Sequence, residues 1–218
     1  MSALQTTDKR NISGLILAGG EGRRMAGRDK GLITLADKPL VEYAIACMKP
    51  LVDDLSISCN RNHELYLSYQ LDCLADKEVS ENTDKAYAYQ GPMAGLAAGL
   101  KHACHEWLLV MPCDTPLMTT AIMAQLLTFV AQQQVDEIQK LQGVIFSHQG
   151  LQPLHGLYHR SMLPILERCL AENKNALQRL LRSMDSIQVL SAEEHESSFN
   201  NANDPEGLRV IERLLKSY

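Results

Sequence analysis

The sequence has no excess of positive charge: 21 Lys and Arg stand against 26 Asp and Glu, for a formal charge of −5. Without a basic field, nonspecific binding to nucleic acid or to an anionic membrane is excluded, and any anion site must be local. No apolar run reaches the roughly 20 residues of a membrane span. Met1 to Arg10 has no apolar core of signal-peptide length, and Ile12 to Ala18 is interrupted by Ser13 and Gly14, so a cytoplasmic protein is expected. The six cysteines contain no Cys-x-x-Cys pair, and four of them sit in apolar runs as small buried thiols, which fits a reducing compartment. Aromatic residues are only 5%, and no Pro-, Gly- or Ser-rich tract or charge block divides the chain, which excludes fibrous and disordered readings and shows no linker. What is present is ample core material: 45% of 218 residues are hydrophobic and 22% charged. That predicts a single domain over residues 1–218, with 1–11 as a flexible lead-in.

Short apolar runs alternate with helix-period stretches through the first half, the pattern of an α/β protein with a largely parallel sheet. Strands are expected at Leu15–Ala18, Leu55–Cys59, Leu71–Leu74 and Trp107–Met111, and helices at Leu40–Met48, His63–Tyr69, Met93–His105 and Thr120–Gln133. Further on, Gly143–Ser147, Leu154–Tyr158 and Ile187–Leu190 read as strands, and Ser161–Ala171, Ala176–Met184 and Pro205–Leu215 as helices. Gln149 and Gly150 between two strand-like runs predict a hairpin, and with it some antiparallel pairing.

In an open parallel sheet, ligands sit beyond the carboxyl ends of the strands. The residues there are Gly19-Gly20-Glu21-Gly22-Arg23-Arg24-Met25, Asn60-Arg61, Asp76, and Pro112-Cys113-Asp114-Thr115-Pro116. Three glycines within four residues let backbone N–H groups approach an anion, and Arg23, Arg24, Arg28 and Lys30 supply charge, which suits a polyphosphate. The loop is neither a dinucleotide fingerprint, since Met25 takes the place of the last glycine, nor a P-loop, since Arg28-Asp29 follows Gly27. Asp114, delivered by an apolar run and held between two prolines, is either a Mg2+ ligand completed by substrate phosphates or an Asx turn or helix cap with no metal. Asp204 before Pro205 reads as a helix N-cap, leaving Asn203 to orient an acidic ligand network or to coordinate metal.

Other candidates carry less. His102 with His105 and His155 with His159 lack a third ligand at zinc spacing and read as surface or core histidines. There is no Gly-x-Ser-x-Gly elbow and no cysteine in a nucleophile context, so covalent catalysis has no support. Arg179 and Arg182 read as a solvated helix face.

Leu17-Ala18-Gly19-Gly20-Glu21-Gly22-Arg23-Arg24-Met25, Asp29-Lys30-Gly31, Gly91-Pro92-Met93-Ala94-Gly95, Pro112-Cys113-Asp114-Thr115-Pro116 and Asn201-Ala202-Asn203-Asp204-Pro205-Glu206 resemble, in order and spacing, the molybdenum cofactor guanylyltransferase (MobA) family. The likeness runs from about residue 12 to 213. Its opening motif is shared with sugar-nucleotide pyrophosphorylase-like nucleotidyltransferases; the Asp29-Lys30-Gly31-Leu32 and Pro112–Pro116 segments narrow it. Two departures stand out: Ala26 replaces a family glycine, and Lys77–Gln90 is longer than the usual spacing, which makes Asp84 a competitor of Asp76.

The resemblance implies a three-layer α/β/α sandwich of Rossmann-like nucleotidyltransferase type. It also implies Mg2+-dependent transfer of GMP from GTP to the terminal phosphate of molybdenum-bound molybdopterin, with release of pyrophosphate. Carried over by motif, Leu17, Ala18 and Gly19 would contact the nucleotide and Arg24 and Lys30 its phosphates. Asn60 and Asp76 would lie on the nucleoside side, Asp114 would hold the magnesium, and Asn201 and Asn203 would belong to the rim. Molybdenum-insertion or cofactor-delivery proteins are implied as transient partners. The competing expectations are a cytidylyltransferase on molybdopterin, a sugar-phosphate nucleotidyltransferase, and a noncatalytic nucleotide-binding regulator.

Overall fold

A computed structural model describes residues 11–18, 28–74 and 91–216. Its centre is a seven-stranded sheet. The first strands are β1 (Ile12–Leu17), β4 (Asp54–Ser58), β5 (Asp72–Leu74) and β6 (Trp107–Pro112). β7 (Gly143–Ser147), β8 (Leu151–His159) and β9 (Ile187–Ser191) complete it, and the spatial order is β5-β4-β1-β6-β8-β7-β9. β1 pairs in parallel with β4 and β6, and β4 with β5, so four carboxyl ends share one edge. β8 alone runs against its neighbours. The expected mixture of parallel and antiparallel pairing is therefore present, and the hairpin turns at Gln149 and Gly150, both with positive φ.

Alternation along each strand sends side chains to opposite faces, and both faces are covered. From β1, Ile16 joins Val41, Ala44 and Met48 of α1 (Leu40–Met48) and Met123 and Leu126 of α4 (Thr120–Ala131). Leu15 turns the other way, to Met93, Leu96 and Leu100 of α3 (Pro92–His102), Leu166 of α6 (Leu163–Ala171) and Leu181 of α7 (Leu177–Arg182). These are the three layers the resemblance implied. α3 can lie close on the sheet because Gly99 faces it: an added Cβ there would fall 2.5 Å from Leu15 Cδ2.

A third small core lies beside the sheet edge. The hairpin of β2 (Thr34–Leu35) and β3 (Lys38–Pro39), turned by Ala36 and Asp37 in the left-handed region, packs Ile33 and Leu35 against Ala202 and against Ile211 of α8 (Pro205–Leu215). Two short helices, α2 (His63–Leu67) and α5 (Val135–Ile138), complete the α-helices of the described residues. The helix expected from Ser161 opens instead with a tighter turn over Arg160–Met162, and the helix expected to reach His105 ends at His102. Among the described residues no helix is long and apolar enough to cross a membrane.

Candidate active site

The four parallel strands do not stop in step by chance; their ladders continue one residue beyond them. Ala18 N–H donates to Ser58 O at 2.9 Å, Cys59 N–H to Leu74 O at 2.9 Å, and Cys113 N–H to Leu17 O at 3.1 Å. Ala18, Cys59 and Cys113 are thus lined up as buried neighbours, and the next residues, Asn60 and Asp114, emerge together at the edge. Leu17, half-buried, ends β1.

Lys30 reaches the same point from outside the sheet. Its Nζ lies 2.5 Å from Asp114 Oδ2 and also donates to Asn203 Oδ1. Both ends of the ion pair are largely withdrawn from solvent, with 15% and 17% of their side chains exposed. The loop that brings Asn203 in is tied to the strand end, because Ala202 N–H donates to Asp114 O at 2.8 Å. Asp204 is the N-cap of α8 that its sequence context predicted, accepting from Gly207 N–H at 2.8 Å with Pro205 in the first turn. The cap stops the helix short and leaves Asn203 outside it.

Lys30 itself is presented by a short 3-10 turn, Lys30–Leu32, capped by Asp29. The Asp29 carboxylate is buried and accepts from Gly31 N–H at 3.2 Å, Tyr66 Oη at 2.6 Å and Asn62 Nδ2 at 2.9 Å, with Arg61 Nε 3.8 Å away. Gly31 has no room for a side chain, since the Tyr66 hydroxyl occupies the place of its Cβ.

Asp114 Oδ1 is buried and has no hydrogen-bond partner among the described residues. Beside it opens a cleft of about 430 Å³ lined by Pro112, Asp114, Gln152, His155, Gln178 and Asn201, among others. An irregularity in β8 shapes one wall. Ile145 pairs with Gly156 but Phe146 with Gln152, so Pro153, Leu154 and His155 bulge out of the ladder. Pro153 has no N–H to lose, and its carbonyl is held by Tyr158 Oη at 2.5 Å. The bulge aims His155 at the turn after β6, where Nε2 and Thr115 Oγ1 are 2.9 Å apart. His155 is 3% exposed and packs edge-on against Phe199, and its Nδ1 has no partner among the described residues. Burial lowers its pKa to about 4, against a weaker pull upward from Asp114, so the ring is neutral at pH 7. Cys113 is also fully buried, and burial pushes its thiol well above the usual range, with Asp114 adding to the rise. Burial and a protonated thiol disfavour a nucleophilic role despite its place next to Asp114.

Of the residues singled out in the sequence, Lys30, Asp114 and Asn203 are in direct contact, and Leu17, Ala18, Asn60 and Asn201 lie at the same edge or on the cleft wall. Gly19, Arg24, Asp76 and the competing Asp84 fall outside the described residues. Arg179 and Arg182 are exposed, His102 bonds Asp72 at 3.0 Å, and His159 bonds Ser161 at 2.9 Å, all away from the cleft. Tyr66 and Asn62 escaped sequence reasoning, and His155, expected as a surface or core histidine, is buried and also lines the cleft. The bulge had one local signal, a proline directly before the run Leu154–Tyr158.

The sheet edge thus presents the Asp114 carboxylate, and flanking segments bring the Lys30 ammonium and the Asn203 amide to it, an arrangement suited to handling phosphate groups. The fold is that of a nucleotidyl transferase from Methanothermobacter, with a TM-score of 0.66, 17% identity and coverage of 95% of this chain and 99% of that one. The structure described as molybdopterin-guanine dinucleotide biosynthesis protein A from Archaeoglobus fulgidus matches with a TM-score of 0.74 at 21% identity, over 94% of this chain and all of that chain. Within that class the sequence is more specific: residues 14–189 match the MobA-like NTP transferase domain, and the chain belongs to that family. A relative from Pseudomonas putida strain GB-1, a molybdenum cofactor guanylyltransferase, is 37% identical over 195 residues, 89% of this chain and 94% of its own length.

Proposed function

We propose that this chain transfers GMP from GTP to the terminal phosphate of molybdenum-bound molybdopterin and releases pyrophosphate. The observation that carries this reading is the contact of Lys30, Asp114 and Asn203 at the carboxyl edge of the sheet, in a chain of the MobA-like family whose relative at 37% identity carries that name.

The acceptor phosphate is already anionic, so no strong base is needed to create a nucleophile. The difficulty is to hold several anions together and in line. Lys30 supplies a cation whose direction is fixed by Asp114 on one side and Asn203 on the other, so it meets the phosphates without first paying to be ordered. By motif, Arg24 would join it on the phosphates, Leu17, Ala18 and Gly19 would line the nucleotide, and Asn60 and Asp76 would face the nucleoside. The cleft beside Asp114 has prolines and amides and, among the described residues, no Lys or Arg in its lining, which suits the uncharged ring system of a substrate.

Asp114 also fits a magnesium ion. Its Oδ1 is a buried carboxylate oxygen without a partner among the described residues, the kind of atom that a hard cation satisfies. No group of three His, Cys, Asp or Glu surrounds it among the described residues, so Asp114 would be the protein's main ligand and substrate phosphates would supply others, as Mg2+ prefers. The bound ion would neutralise phosphate charge as a Lewis acid.

The test is Asp114→Ala assayed for GMP transfer. A loss of about 10²–10³-fold in kcat with the fold intact is expected, the size typical of a preorganised electrostatic group. Full activity with GTP and Mg2+ would remove Asp114 from the reaction.

A further inference from the structure

The catalytic lysine follows a residue that is held far more firmly than a loop aspartate needs to be. Asp29 has 5% of its side chain exposed, and both carboxylate oxygens are occupied: Oδ1 by Tyr66 Oη at 2.6 Å and by Gly31 N–H, Oδ2 by Asn62 Nδ2 at 2.9 Å, with Arg61 Nε at 3.8 Å. Tyr66 is fully buried on α2, the short helix that follows Asn60 and Arg61 at the end of β4. Asn62, which starts that helix, sits at φ +55 and gives its side-chain amide to Asp29 in place of a local cap.

We propose that Tyr66, through Asp29, is a positioning residue for Lys30. The phenol clasps the Asp29 carboxylate and so fixes the base of the turn from which the lysine points at Asp114. The clasp also joins the lysine turn to the strand end that carries Asn60, so the two sides of the site are held in one register. A lysine has four rotatable carbons, and an anchor that drifts by an ångström is felt at the ammonium group. Three features support a task beyond packing. Gly31 is kept bare so that the hydroxyl can approach the turn. The hydroxyl donates to a charged acceptor at short range, which is the stronger kind of hydrogen bond. Burial first, and Asp29 next, raise the phenol's pKa, so it stays a donor throughout the working pH range.

The inference rests on the proposed role of Lys30 in the transfer, so the test pairs kinetics with a readout independent of activity. Tyr66→Phe removes only the oxygen and preserves the buried ring. Its kcat for GMP transfer is expected to fall about tenfold, with KM for GTP changed less than about threefold. Acylation of Lys30 by an amine-directed reagent, followed by peptide mass spectrometry, is expected to quicken in the variant as the ion pair loosens. Asn62→Gly, which keeps the left-handed backbone and removes the other partner, should shift both readouts in the same direction. Tyr69→Phe, which loses a bond to Glu42 at 3.2 Å, should shift neither. Wild-type kcat and wild-type Lys30 reactivity in Tyr66→Phe would overturn the proposal, as would a loss confined to melting temperature. If the wild type itself transferred no GMP, the functional reading would fail while faster Lys30 acylation in Tyr66→Phe would still uphold the clasp.

Discussion

Acid should unfold this protein in part through His155. The side chain is 3% exposed, and burial holds its pKa at about 4, against an ordinary value of 6.5. Between those values the unfolded chain takes up a proton at this position and the folded protein does not, so falling pH favours unfolding. The stability conferred by the neutral ring is fully present above pH 6.5 and is lost progressively as pH falls toward 4. A difference of about 2.5 between the two pKa values corresponds to about 3 kcal/mol at most, a large share of the stability of an ordinary domain. Carboxylates titrate in the lower part of the same window, so the measurement must be differential. Urea unfolding of the wild type and of His155→Gln, which retains an amide for Thr115, should be compared from pH 7.5 to 4. The wild type should lose about 3 kcal/mol more than the variant across that range. A constant difference between the two proteins would refute the claim that His155 is buried and neutral.

The remaining predictions concern the loops that carry the site. Lys30→Ala should lower both GTP affinity and kcat, because ground-state phosphates and the departing pyrophosphate both need its charge; unchanged steady-state parameters would contradict its placement. Asp204→Ala should cost about 1 kcal/mol of stability in denaturant titration by removing the cap of α8. It should also raise KM more than it disturbs the fold, because Asn203 is held by the same turn.

The order of strands and helices was legible because the core is built by short-range periodicity. Leu40–Met48, Gly143–Ser147 and Pro205–Leu215 begin and end where their apolar spacing, turn residues and Asp204-Pro205 signal say they should. Asp114 was legible for a different reason: an apolar run as buried as Leu108–Met111 can end only at the sheet edge, and a carboxylate following it must lie there. The contacts that complete the site are of another kind. Lys30 meets Asp114 and Asn203 across 84 and 173 residues of chain, and no local pattern encodes such a meeting. Motif likeness suggested the company but not the bonds. Tyr66 looks like any core aromatic at helical spacing until its hydroxyl is found on Asp29. His155 reads as a strand residue, and only the bulge at Pro153–His155 turns it toward Thr115.

The most direct test of the account is pyrophosphate release by the purified protein from GTP, CTP, ATP and UTP in turn, with Mg2+ and molybdenum-loaded molybdopterin, against controls lacking the acceptor. Release that requires the acceptor and is selective for GTP is the predicted result. Release selective for CTP would keep the mechanism and overturn the guanylyl assignment, and GTP binding without release from any nucleotide would contradict the account of Lys30 and Asp114 as transfer machinery.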